Sequence, residues 1–143
     1  MKVFQIQDDW SFDHLKIVER EQPEPGPGEV LLQVKAASIN YRDLVVPLRG
    51  YGSFTGTLPL VPISDGVGEV VEIGAGVNRV ATGDRACPMF MQKWIAGEPD
   101  LARITSTLGG PIDGVMQEYI VVNEEGLAKI PEYLTDEEAA TLP

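Results

Sequence analysis

Pro59-Leu60-Val61-Pro62-Ile63-Ser64-Asp65-Gly66-Val67-Gly68-Glu69-Val70-Val71-Glu72-Ile73-Gly74 is the passage on which the fold turns. Its second half, Val67 to Ile73, is a β-branched run closed by a turn at Gly74-Ala75-Gly76, so it predicts a strand. Gly66 and Gly68 then let that strand bend or pack closely against a neighbour. Working outward, Val30, Leu32 and Val34 alternate with more polar neighbours as in a half-buried strand. Lys2 to Ile6 and Leu15 to Val18 read as a pair of strands, and Val115 to Val122 as another long one. The stiff stretch Gln22-Pro23-Glu24-Pro25-Gly26-Pro27-Gly28-Glu29 separates the first pair from the rest.

Two segments break the β pattern. Tyr41 to Arg49 places Leu44, Val45 and Leu48 on one face, which predicts a short helix ending at Gly50. Met91 to Asp113 reads as an irregular excursion. Eleven prolines and 15 glycines punctuate the whole length, so the fold class is mainly β with short helices. At the other end, Thr135-Asp136-Glu137-Glu138 matches a capping box that opens a helix just before Pro143. A helix that stops within about two turns has little stability of its own. The expectation is a piece of a longer chain, with a frayed tail as the alternative.

Composition narrows the function. A chain of 143 residues with 43% hydrophobic and 23% charged residues fits one globular domain with a real core. Eleven Lys and Arg against 22 Asp and Glu give a net charge of −11, which disfavours nucleic acid and anionic membranes as partners. No segment resembles a signal peptide or a membrane span, and the chain is read as cytoplasmic. The single cysteine, Cys87, excludes an internal disulfide and agrees with a reducing compartment.

Metal and dinucleotide sites fare poorly. Zinc sites draw most of their three or four protein ligands from Cys and His, and this chain has one of each, Cys87 and His14, far apart in sequence. They read as a small buried hydrophobe and a surface imidazole, and no bound metal is expected. Gly66-Val67-Gly68 and Gly74-Ala75-Gly76 imitate a dinucleotide fingerprint, but Val71 and Arg79 stand where a third small residue belongs. Neither opens a helix after a strand, as phosphate binding requires.

Ser38-Ile39-Asn40-Tyr41-Arg42-Asp43-Leu44, the passage from Pro59 to Gly74, and Gly83-Asp84-Arg85 together resemble, in order and spacing, the GroES-like domain of medium-chain dehydrogenases/reductases. Leu108-Gly109-Gly110-Pro111-Ile112-Asp113-Gly114-Val115, running on to Glu118-Tyr119, is similar to the zinc-free NAD(P)-dependent branch. Glu137 to Pro143 resembles the helix that leads into that family's Rossmann domain. The resemblance implies a partly open β-barrel over residues 1–134, with 135–143 beginning the helix toward an absent cofactor domain. Where zinc enzymes of the family carry a ligating cysteine this chain has Asn40, and where they carry Gly-His-Glu it has Ile63-Ser64-Asp65. Met91 to Asp113, where a structural-zinc loop would fall, contains no cysteine.

The resemblance further implies hydride transfer between NAD or NADP, bound mainly by the absent domain, and a small alcohol or carbonyl substrate. A quinone or enoyl reductase is the alternative within the superfamily, and a stand-alone binding or co-chaperone module is the alternative outside it. Reduction builds negative charge on oxygen, and without a Lewis acid hydrogen-bond donors must stabilise it. Asn40, Tyr41 and Tyr51 are the candidate catalytic donors, and a tyrosine can also supply the final proton. Related zinc-free enoyl and quinone reductases resemble this arrangement, with a tyrosine at a similar distance beyond the asparagine.

Each candidate has a structural alternative. Asn40 also suits a helix cap, Tyr51 an aromatic lid, and Asp43 a first-turn charge that favours the helix dipole. Arg42 is either a solvated charge or a contact to a cofactor phosphate. Ser64 and Asp65 are expected to line the pocket, with Asp65 alternatively a turn former before Gly66. Trp94 stacks on substrate or simply packs. The parent enzyme is expected to act on a small molecule, to need its cofactor domain for activity, and to pair as a homodimer through that domain.

Overall fold

The short Val- and Ile-rich runs do fold as strands in the computed structural model, which describes residues 1–143. β1 (Lys2–Ile6) and β2 (Leu15–Glu19) pair antiparallel, as the sequence predicts, through a 3-10 turn at Phe12–His14. β3 (Glu29–Ser38) is the longest strand and lies second from one edge of the second sheet. It pairs antiparallel with β4 (Asp65–Ile73) on one side and β6 (Tyr119–Asn123) on the other. β5 (Arg85–Pro88) and β7 (Leu127–Lys129) extend the far edge, giving the order β6-β3-β4-β5-β7. Register shifts at Leu31/Leu32 and Val34/Ala36 bend β3. The sheet therefore curls into a half-barrel, the GroES-like fold class expected from the sequence.

The main core joins the sheet to the loops beside it. Val30, Leu32, Val70, Ala86, Ile120 and Leu127 from the strands meet Ile63, Leu108 and Val115 from the loops, all buried. Each of the Val, Leu and Ile side chains contributes about 1.5–3 kcal/mol on burial. Gly68 belongs to this packing, because a Cβ there would stand 2.8 Å from the Gln33 carbonyl on β3.

Three expectations change. The run Val115 to Val122 is strand only from Tyr119, because the amides of Gly114, Val115 and Met116 donate to the carbonyls of Val61, Ile63 and Pro62 instead of to a neighbouring strand. The helix predicted for Tyr41 to Arg49 is α1 (Tyr41–Val45) followed by a 3-10 turn at Val46–Leu48. That tightening rotates the face: Leu44 and Leu48 are exposed while Asp43, Val46 and Pro47 are buried. The predicted excursion from Met91 to Asp113 contains a one-turn helix, α2 (Leu101–Ile104), capped by the Asp100 carboxylate.

The C-terminal capping box forms in both directions: Glu138 N donates to Thr135 Oγ1 at 3.2 Å and Thr135 N to Glu138 Oε2 at 2.9 Å. It opens α3 (Asp136–Ala139), whose Ala139 packs with Val67 and Cys87. Arg85 holds this end down through Asp136 and the Leu134 carbonyl, both at 2.8 Å. No helix is long and apolar enough to cross a membrane.

Candidate active site at the junction of α1 and β4

Pairing of Ser38 with Asp65 brings the end of β3 beside the start of β4. Asn40 follows with extended backbone and caps α1, its N–H donating to Asp43 Oδ2 at 2.8 Å. Its side chain points across the junction, where Nδ2 donates to Asp65 Oδ2 at 2.5 Å. Ser64 Oγ donates to the other oxygen, Oδ1, at 2.6 Å. Both oxygens of a buried carboxylate are thus engaged. Asn40 acts as a helix cap and as a cluster member at once.

The approach to Ser64 is conformationally unusual. Ile63, buried and β-branched, has φ 69, a left-handed conformation rare for such a residue. Its carbonyl accepts from Val115 N at 2.8 Å, and Gly109 packs so closely that a Cβ there would stand 2.8 Å from the Ile63 carbonyl carbon.

Asp43 is buried, with Oδ2 bonded to Asn40 N and Oδ1 without a partner. Burial pushes its carboxyl above the usual value, opposed by the Asn40 N–H and the Arg42 charge and reinforced by Asp65. Arg42 is half-buried between two aromatic rings, its guanidinium carbon 4.9 Å from the Phe90 centroid and 5.5 Å from that of Tyr51. Nη2 donates to the Gly110 carbonyl at 2.8 Å. Burial lowers its pKa from the usual value, against the raising influence of Tyr51, Asp43 and Asp65.

The structure therefore brings together Asn40, Arg42, Asp43, Tyr51, Ser64 and Asp65. Tyr51 precedes a 3-10 turn at Gly52–Thr55 and is 43% exposed, open to solvent on one side. Tyr41 is 79% exposed and its phenol makes no hydrogen bond. Trp94 donates its indole N–H to Gly97 O at 3.0 Å within its own loop and makes no hydrogen bond to the cluster. Phe90 and the Gly110 carbonyl are participants that sequence reasoning missed; the Gly109-Gly110-Pro111 turn was the only local signal.

Cys87 is buried, its thiol donating to Ala139 O at 3.3 Å, and His14 is half-buried with Nδ1 unpartnered. No three His, Cys, Asp or Glu side chains lie together in a way that could hold a metal ion. Gly66 and Gly68 lie inside β4, and Gly74 and Gly76 flank a turn, so neither pair forms a pyrophosphate cradle.

Residues 26–132 match the alcohol dehydrogenase GroES-like domain family. The chain is 41% identical over 133 residues to a zinc-type alcohol dehydrogenase-like protein of Schizosaccharomyces pombe, covering 92% of this chain but 38% of that protein. It is 31% identical to an acryloyl-coenzyme A reductase of Metallosphaera sedula, covering 90% of this chain and 40% of the reductase. A provisionally named alcohol dehydrogenase from Sinorhizobium meliloti 1021 superposes with a TM-score of 0.89 at 36% identity, over 99% of this chain and 42% of the other. Zinc, which the first of these names invokes, does not suit the donors at the junction: an amide, a hydroxyl and one carboxylate, already bonded to one another, with no thiolate or imidazole among them. The fold, the matched residues and these likenesses agree that the chain belongs to the alcohol dehydrogenase GroES-like domain family of the medium-chain dehydrogenases/reductases.

Proposed function

We propose that this chain is the substrate-side catalytic domain of an NAD(P)-dependent oxidoreductase that acts on a small alcohol or carbonyl compound without a protein-bound zinc. The observation that carries this reading is the Asp65 carboxylate engaged on both oxygens by Asn40 and Ser64. A nicotinamide held mainly by a Rossmann domain outside these residues would donate or accept the hydride. Residues 1–134 would form the substrate side and 135–143 the start of the connecting helix. The protein would work in the cytoplasm, take a small-molecule substrate, and pair as a homodimer through the cofactor domain.

Within the cluster, Asp65 takes one hydrogen of the Asn40 amide and so fixes its orientation. The second amide hydrogen remains for an oxyanion that grows as a carbonyl or enone is reduced. Tyr51, part-exposed beside the Arg42 cation, supplies the proton that completes an alcohol or enol. Tyr41 is the outer of the two phenols. Likeness to an acryloyl-coenzyme A reductase favours a second reading, an enoyl reductase in which the same donors hold an enolate.

Turnover of alcohols, ketones, quinones and 2-enals by the full-length protein with NADH and NADPH, together with its zinc content, tests both readings. Expected is turnover without stoichiometric zinc, falling about a hundredfold or more when Asn40→Ala and Tyr51→Phe are combined. Stoichiometric zinc required for turnover would sink the zinc-free reading.

A further inference from the structure

We propose that Arg42 receives a carboxylate of the substrate at its free edge beside Tyr51 and Phe90, an assignment that rests on reading this junction as the substrate side of the enzyme. Of the six arginines, Arg20, Arg79, Arg85 and Arg103 each form an ion pair with an acidic side chain. Arg49 is exposed. Arg42 alone is half-buried with no ion pair, in a chain whose acidic residues outnumber its basic ones 22 to 11.

Its acidic neighbours, Asp43 and Asp65, lie near enough to raise its pKa but form no ion pair with it. Asp43 gives Oδ2 to Asn40 N, and Asp65 gives its two oxygens to Asn40 and Ser64. Burying a cation without a direct ion pair is unfavourable, and burial lowers the pKa of Arg42 even against the two nearby carboxylates. Bonds to the Leu108 and Gly110 carbonyls do not require a guanidinium, since a neutral amide could make them.

Geometry says what would relieve the cost. The guanidinium carbon lies over the rings of both Tyr51 and Phe90. Nη2 is spent on the Gly110 and Leu108 carbonyls and Nε is buried, whereas Nη1 makes no bond to the protein and is not buried. A charged donor held between aromatic rings with a free edge suits a planar carboxylate, which takes charge-assisted hydrogen bonds from guanidinium. The substrate class is thus an alcohol, carbonyl or enone that also carries a carboxylate.

Benzoate, with benzyl alcohol as its neutral counterpart, probes this in the full-length protein by calorimetry and by phenylglyoxal modification of arginine mapped by peptide mass. Benzoate should bind about tenfold or more tightly than benzyl alcohol and shield Arg42 from phenylglyoxal. Arg42→Gln should erase the gap, and Arg42→Lys, which keeps the charge but loses the planar fork, should erase most of it. Equal binding of the two probes, unchanged modification of Arg42 under saturating benzoate, or displacement of benzoate by an equal concentration of inorganic phosphate would each overturn the assignment. Shielding of the wild-type residue decides the matter even where Arg42→Gln fails to fold. Benzoate binding without any hydride transfer would leave the subsite standing and sink the proposed function. Equal kcat/KM for neutral and carboxylate-bearing substrates, changed equally by Arg42→Gln, would do the reverse.

Discussion

Asn40 Nδ2 lies 2.5 Å from Asp65 Oδ2, joining the cap of α1 to the first residue of β4 across 25 positions of sequence. One carboxylate thereby serves two purposes. It holds the helix onto the sheet, and it fixes the orientation of an amide that keeps a second hydrogen.

Replacing Asp65 tests the first purpose. Asp65→Ala removes the acceptor of both Asn40 and Ser64, and Ser64 is almost fully buried, so its hydroxyl loses its only partner there. The expected loss is about 1–3 kcal/mol in urea unfolding. Asp65→Asn keeps one acceptor oxygen and should cost less. Equal stability of the wild-type and Asp65→Ala chains would show that the cluster does not hold the junction.

Asp43 should give stability an inverted pH dependence for a carboxyl. Burial raises its pKa in the fold above the ordinary 3.8, so the folded chain holds the proton more firmly than the unfolded one. Between the ordinary value and the raised one, the unfolded chain releases its proton first, and stability falls as pH rises through the folded value. Asp84 and Glu124, whose pKa values are lowered by hydrogen bonds from Lys129 and from the Asn78 amide, pull the opposite way. Comparison with Asp43→Asn isolates the effect. Urea unfolding from pH 3 to 8 should show the variant gaining on the wild type as pH rises, and a flat difference would refute it.

The parts of this fold that were legible are those whose signal is local. β1, β2 and β4 announce themselves through β-branched runs, and the box at Thr135 to Glu138 forms as written. β5 and β7, four and three residues long, become strands only by pairing at the sheet edge, which no window of sequence displays. Val115 and Met116 look like strand and are claimed instead by the carbonyls of Ile63 and Pro62, some fifty positions away. The site divides the same way. Asn40 and Asp65 could each be named with a structural alternative, but their bond, and the position of Arg42 between Phe90 and Tyr51, depend on long-range packing.

Cys87 should be chemically quiet. Burial, with a contribution from the Asp65 charge, pushes its thiol up to about 11, and only 4% of the residue is exposed. Since the thiolate is the nucleophile, alkylation by iodoacetamide at pH 8 should run about a hundredfold slower than for free cysteine. Urea should restore the ordinary rate. Rapid labelling of the native chain, followed by mass, would contradict this environment.

Gly109 offers a way to separate backbone strain from collision. Gly76 and Gly109 both have positive φ, +84 and +68, so alanine at either meets the left-handed penalty of roughly 1–2 kcal/mol. At Gly76 nothing lies within 4 Å of the added carbon, whereas at Gly109 it would meet the Ile63 backbone at 2.8 to 3.0 Å. Ile63 cannot retreat easily, because its own strained conformation is pinned by Val115 N. Gly109→Ala should therefore lose about 2–4 kcal/mol in urea unfolding, well beyond Gly76→Ala. The displaced loop also carries the Gly110 carbonyl that accepts from Arg42, so Gly109→Ala should lower turnover of the full-length protein while Gly76→Ala leaves it intact. Equal losses at the two glycines would mean that the Ile63 backbone yields freely, and that the tight packing behind Ser64 is not what sets the site.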